Sequence, residues 1–361
     1  MCASKTVVRN RLAVIFSLIL GLFLGGCMAS MPPHPAAGPR TYKNYLGKGF
    51  NGVRRSYLVH VPAGYDPVKP LPLVVVIHGA FDTADGIEKI SGFSALADRE
   101  NFLALYPNGM GLFGYLQHWN AGHCCGKAAE DNWDDVGFLT AVIEDMRARL
   151  RIDARRIYMV GFSNGGMLTY RFAAEKGDIL AAAAPMAASI GGRPSKDAPE
   201  WRIPKPVKPV AMMIVHGLAD DDVPFEGGVS RHRGGTRTYL PVEESVGFWV
   251  ANNGCEQRRA DRYVDEGRVR LESWENCRDG ADVTLLSIKG WGHIWPGPYF
   301  TSELAKTDPL RGFDAAEIIW AFFKSHQRTL EAGTAAADGG RGVGDHPPAK
   351  VLHGGAVPDV R

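Results

Sequence analysis

Short apolar runs recur through the middle of the chain: Val53 to Val61, Leu73 to Ile77, Phe102 to Tyr106, Ile157 to Val160, Ala181 to Met186, Val210 to His216 and Val283 to Ile288. Several are unbroken rather than alternating, as strands buried on both faces are. Helix-like stretches separate them. Val136 to Leu150 has helical periodicity and follows Asp134 and Asp135, either of which can accept backbone N–H bonds as an N-cap. Strands alternating with helices predict a mostly parallel sheet covered by helices on both faces, an α/β fold. The chain shows no internal repeat.

The pattern changes at both ends. Lys5, Arg9 and Arg11 precede an apolar run from Leu12 to Leu24, then Gly25, Gly26 and Cys27. That run falls short of the ~20 residues a bilayer-spanning helix needs, so residues 1–26 read as a signal peptide rather than a transmembrane span. Leu24-Gly25-Gly26-Cys27 resembles the bacterial lipobox, which implies lipidation of Cys27 and a membrane anchor. With Met28 behind it, the resemblance points to an outer-membrane or cell-surface lipoprotein. Simple cleavage into the periplasm or medium is the alternative. Residues 27–48 read as a linker, 49–328 as one folded domain and 329–361 as a flexible tail rich in Gly, Ala and Pro.

Charge adds little: 22% charged residues and a formal net charge of +2 describe an ordinary globular protein and exclude a basic nucleic-acid-binding face. Cysteine adds more. Beyond Cys2 and Cys27 there remain Cys124, Cys125, Cys255 and Cys277, and an exported compartment favours disulfides. Four cysteines permit three pairings. The favoured one closes the short loop from Cys255 to Cys277 and leaves Cys124 and Cys125 as a neighbouring pair or as free thiols. His123 beside them does not make a metal site, because consecutive side chains point in different directions.

The chemistry centres on Gly161-Phe162-Ser163-Asn164-Gly165, which follows the strand Ile157 to Val160 and precedes a helix-like Met167 to Ala174. G-x-S-x-G in a strand–turn–helix context places a serine hydroxyl on a strained turn above the sheet. A serine needs a histidine to take its proton and an acid to hold that histidine, in the chain order Ser, acid, His. His34, His60, His78, His118 and His123 precede Ser163. His346 and His353 fall in the tail, His326 in a terminal helix, His232 in an Arg- and Gly-rich loop, and His216 closes a strand without an acid before it. His293 remains, in a glycine- and proline-flanked loop after Val283 to Ile288. Asp220, just beyond Val210 to His216, is the expected acid, with Asp221 and Asp222 as rivals. The backbone amides of Ala80 and Asn164 are the expected oxyanion donors.

These residues resemble the secreted esterases grouped with polyhydroxybutyrate depolymerases and feruloyl or acetylxylan esterases. The resemblance spans roughly residues 50 to 325. It rests on His78-Gly79, Trp119-Asn120-Ala121-Gly122, Cys124-Cys125-Gly126, Asp134-Asp135-Val136-Gly137-Phe138, Gly161 to Gly166, His216-Gly217 with Asp220 and Val223-Pro224, and Gly292-His293 with Trp295-Pro296-Gly297. It implies an α/β-hydrolase fold, a Ser163–Asp220–His293 triad, no cofactor, and also a Cys255–Cys277 disulfide. The expected activity is hydrolysis of small or oligomeric carboxylic esters through an acyl-enzyme. Crystalline polymer is not the expected substrate, because the resemblance is to the catalytic domain alone. An acyltransferase of the same fold and a non-catalytic surface-binding lipoprotein are the competing readings. Trp119, Trp291 and Trp295 are candidates to stack on the substrate. Arg231, His232 and Arg233 read as a solvated basic loop before they read as a site for an acidic group.

Overall fold

A computed structural model describes residues 40–329 except 47–49, 51, 113 and 232–235. The leader, Cys27 and the tail lie outside the described residues. The central sheet contains β1 (Thr41–Tyr45), β2 (Ser56–His60), β3 (Leu71–Ile77), β4 (Leu103–Pro107), β5 (Ile152–Phe162), β6 (Ala182–Met186), β7 (Ala211–Gly217), β8 (Val269–Glu275) and β9 (Val283–Ile288). Their spatial order is β1-β2-β4-β3-β5-β6-β7-β9-β8, and two short strands, Gln257–Arg258 and Arg262–Val264, pair with β8. The inner pairs are parallel; β1–β2, β2–β4 and β8–β9 are antiparallel.

Helices cover both faces. On one face lie α3 (Asp135–Arg149), α4 (Asn164–Glu175) and α5 (Val242–Asn253); on the other lie α1 (Ala84–Ser91), α2 (Phe93–Glu100) and α6 (Ala315–Ser325). Strand β3 shows why its sequence is unbroken: Leu73, Val75 and Ile77 enter the first core while Val74 and Val76 enter the second. Asp134 is the N-cap of α3, its carboxylate accepting from the Gly137 N–H at 2.8 Å. Asp135 is not a cap; it is buried in an ion pair with Arg55.

Two of the nine main strands of the sheet were not expected from the sequence. Thr41–Tyr45 lies in the segment expected to be linker, yet it pairs with β2 along its whole length. Its side chains are half-buried or exposed, so an edge strand here carries no apolar run. Val269–Glu275 was not expected as a strand either, because it interleaves charges with apolar residues in the manner of an antiparallel strand with one face toward solvent. Cys255 is bonded to Cys277, and Cys124 to Cys125. Among the described residues no helix is long and apolar enough to cross a membrane.

Candidate active site

Strand β5 ends at Phe162 and α4 begins at Asn164, so Ser163 alone makes the turn, at φ 55° and ψ −121°. That conformation is costly for a residue with a side chain and persists because the surroundings dictate it. A Cβ on Gly161 would collide with the Gly165 carbonyl oxygen, and one on Gly165 with the carbonyl oxygen of His78. Only glycine at both places lets α4 pack so closely on the ends of β3 and β5. The Ser163 N–H donates to the Met186 carbonyl at 2.9 Å, which fastens the turn to β6.

Asp220 and His293 come from the loops after β7 and β9. The Ala219 N–H donates to the Trp291 carbonyl at 2.9 Å, so the two loops are locked together beside the serine. His293 Nε2 lies 2.8 Å from Ser163 Oγ, and His293 Nδ1 lies 2.8 Å from Asp220 Oδ2. The second oxygen of Asp220 accepts from the N–H groups of Asp222 at 2.9 Å and Val223 at 2.8 Å. Burial pushes the Asp220 carboxyl up, but the hydrogen bond and charge of His293, the neighbouring His216 and the Val223 N–H hold it below its ordinary value. An ionised Asp220 fixes the proton of His293 on Nδ1 and leaves Nε2 to accept the serine proton.

The rivals are occupied otherwise. Asp221 is exposed and pairs with Arg231 at 2.9 Å, while Asp222 presents its backbone to Asp220. His216 donates from Nε2 to the Val223 carbonyl at 2.8 Å, and burial keeps it neutral. It supports the acid loop from beneath. Arg231 is thus tied to the surface, as the solvated-loop reading expected; His232 and Arg233 lie outside the described residues.

A cleft of about 200 Å³ at Ser163 is lined by Ala80, Phe81, His118, Met167, Arg237 and Tyr239, with the Phe81 and His118 rings packed edge to face at 4.5 Å. Cys124 and Cys125 also line it. Ala80 is therefore at the serine, and Asn164 is adjacent to it at the start of α4. Among the described residues, neither of these two amides donates to a backbone carbonyl of the turns and loops. The Asn164 side chain has a different task. Its Oδ1 accepts from the Trp119 N–H at 2.7 Å and its Nδ2 donates to the Trp119 carbonyl at 3.0 Å, clamping that loop to α4.

The three tryptophans are a correction: none lines the cleft. Trp119 is fully buried behind it and donates from its indole to the His78 carbonyl at 3.0 Å. Trp291 braces the histidine loop by donating to the Ile294 carbonyl at 2.8 Å, and Trp295 packs edge-on against Phe93 and Phe162. Large aromatics near a catalytic loop were better spent on holding it than on touching substrate. Phe81, His118, Tyr239 and Arg237 occupy the wall instead. No local motif marks them, because they reach the cleft from three separate parts of the chain.

His78 is buried two residues before Ala80. Its Nδ1 donates to the Gly79 carbonyl at 2.7 Å and its Nε2 accepts from the Gly109 N–H at 3.1 Å, a pattern only the neutral ring can make. Burial lowers its pKa to about 4, and burial with the nearby Arg237 charge lowers that of His123 to about 3. Because the unfolded chain takes these protons near pH 6.5 and the native state refuses them, stability should fall as pH drops from about 6.5 toward 4. His78 alone is worth roughly 3 kcal/mol across that window. Urea midpoints at pH 7 and 4.5 check this; a His78→Gln variant should show a shallower loss, and an equal loss would remove His78 as its source.

The chain is similar to known esterases. Residues 55–194 match the family model described as Esterase PHB depolymerase. The chain is 29% identical over 241 residues to feruloyl esterase B of Piromyces equi, covering 66% of this chain and 42% of that enzyme. It is 27% identical over 241 residues to feruloyl esterase C of Emericella nidulans, covering 63% and 73%. A bifunctional acetylxylan esterase/xylanase of Neocallimastix patriciarum is 24% identical over 263 residues, covering 70% and 33%. Among solved structures, a thermostable esterase superposes with a TM-score of 0.51 at 16% identity, covering 80% of this chain and 63% of that one. The sheet order and the enclosing helices are those of the α/β-hydrolase fold.

Proposed function

We propose that this chain, which matches the PHB-depolymerase esterase model over residues 55–194, is a carboxylic ester hydrolase that works through an acyl-enzyme on Ser163 and takes small or oligomeric esters. The observation that carries the mechanism is the unbroken chain from Ser163 Oγ through His293 to Asp220, with 2.8 Å at each step. In this reading Ser163 Oγ attacks the ester carbonyl as its proton passes to His293 Nε2. The N–H groups of Ala80 and Asn164 receive the oxyanion, and Asp220 stabilises the imidazolium. His293 then protonates the departing alkoxide, and a water molecule repeats the sequence to release the acid and restore the serine.

The size of the cleft supports short or medium acyl groups over long chains, and Phe81, Met167 and Tyr239 give it an apolar or aromatic lining. The relatives reported above are esterases by name, and none of them favours acyl transfer or a catalytically silent binding protein. Export, with Cys27 as a lipid anchor at the outer membrane or cell surface, accompanies this proposal on the strength of the leader and the cysteine pairs.

Hydrolysis of methyl ferulate, a short-chain nitrophenyl ester, a long-chain nitrophenyl ester and 3-hydroxybutyrate oligomers by the full chain tests the proposal. The short and oligomeric esters should exceed the long-chain ester in kcat/KM by at least about tenfold, since a cleft this small cannot bury a long chain. Inactivity on all four, together with failure to react with a fluorophosphonate, would end the catalytic reading.

A further inference from the structure

Arg237 stands on the wall of the cleft and, among the described residues, forms no ion pair. Its backbone is held firmly: the Ser230 N–H donates to its carbonyl at 3.1 Å, and the following Thr238–Tyr239 strand pairs with both Gly228–Val229 and Gly191–Arg193. Its Nη1 lies 3.5 Å from Cys124 Sγ and 3.4 Å from Cys125 Sγ. Sulfur is a weak acceptor and carries no charge in a disulfide, so these contacts orient the guanidinium without neutralising it. The buried Nε has no acceptor. Among the described residues no carboxylate forms an ion pair with Arg237, although Asp222 lines the same cleft. A half-buried cation in a ligand cavity with no direct ion pair among the described residues is costly for folding alone. The planar fork of an arginine is matched by a carboxylate, which accepts two parallel N–H bonds.

We propose that Arg237 is a specificity residue that recognises a carboxylate on the ester substrate, so that the preferred substrates are esters with a free acid group, such as the acid end of a hydroxyacid oligomer. The inference rests on the ester-hydrolase reading and deepens it. The carboxylate belongs to the acyl part or to the leaving alcohol, and takes no part in bond making: hydrolysis still adds water across the ester, giving one acid and one alcohol.

The experiment uses the full chain and two matched pairs at pH 7.5. The 3-hydroxybutyrate dimer as free acid against its methyl ester places the carboxylate in the leaving alcohol. Monoethyl succinate against diethyl succinate places it in the acyl part. Wild type should prefer the acid in at least one pair, and KM for that acid should rise with added salt. In Arg237→Gln the acid-to-neutral ratio of kcat/KM should fall roughly 10- to 100-fold, and Arg237→Lys should keep part of it. The salt response and the lysine variant remain informative even where the glutamine variant folds poorly. A wild type that prefers the neutral ester in both pairs, or an Arg237→Gln variant that loses acid and neutral esters equally, overturns the proposal while the esterase reading stands. Inactivity on the neutral esters with no fluorophosphonate labelling overturns both.

Discussion

Replacing Ser163 with Ala is expected to lower kcat on a short-chain ester by roughly 10⁴- to 10⁶-fold, because the nucleophile, its base and the base's partner act as one unit. Folding should survive. The strain at φ 55° lies in the backbone and is held by Gly161, Gly165 and the Met186 hydrogen bond, none of which uses the hydroxyl. The same dependence predicts that adding His293→Ala to Ser163→Ala costs little more, since the base has nothing left to deprotonate. Steady-state kinetics with a fluorophosphonate active-site count, to exclude wild-type contamination, measures this. Retention of more than about one per cent of wild-type kcat by Ser163→Ala would place the nucleophile elsewhere.

The largest effect on stability is expected at Arg55 and Asp135. Their side chains meet at 2.6 Å between Nη1 and Oδ1 with almost no exposure on either side, 2% and 0%. Arg55 also donates from Nη2 to the Asn108 carbonyl at 3.1 Å and lies 3.5 Å above the centre of the Phe138 ring. The other oxygen of Asp135 accepts from the Asn120 N–H at 2.7 Å. Burial disfavours both charges, raising the Asp135 carboxyl and lowering the Arg55 guanidinium, and each partner offsets the other. Asp135→Ala leaves a buried cation and an orphaned Asn120 amide, which should cost about 3–5 kcal/mol, or roughly 10 °C in Tm. Arg55→Met with Asp135→Leu should be milder than either single change, because no lone charge remains. Thermal unfolding of the three variants decides the matter; single variants within about 1 kcal/mol of wild type would mean the site hydrates or rearranges.

This ion pair also reaches the chemistry. Asn120 follows Trp119, whose backbone is clamped by the Asn164 side chain, and the Asn164 amide is one of the two proposed oxyanion donors. Loss of Asp135 should therefore weaken activity as well as stability, by loosening a group that must be held within a fraction of an ångström.

What could be read from the chain alone were the features whose causes lie within a few residues. The turn at Ser163 depends on Gly161 and Gly165 beside it, and the buried strands on uninterrupted apolar runs, so both were legible without a fold. Asp220 and His293 were expected from chain order and from lying just past strands, and the fold brings both to Ser163. Edge strands escaped because partial exposure removes the apolar signal: Thr41–Tyr45 is stabilised by its β2 partner and not by its own composition.

The remaining features depend on distant parts of the chain arriving together, and composition is silent about that. A tryptophan reads the same whether it supports a loop or faces a substrate, and the packing of Trp119, Trp291 and Trp295 decided for support. Asp135 reads as a helix cap until Arg55, from the start of the domain, is placed against it in the core. Arg237 reads as one more basic residue after a basic loop until the fold sets it over Cys124 and Cys125 in the same cleft as Ser163. Local sterics and apolar periodicity determined the buried strands and the strained turn at Ser163. The sheet order, which joins residues far apart in sequence, determined which charges are buried and which are paired.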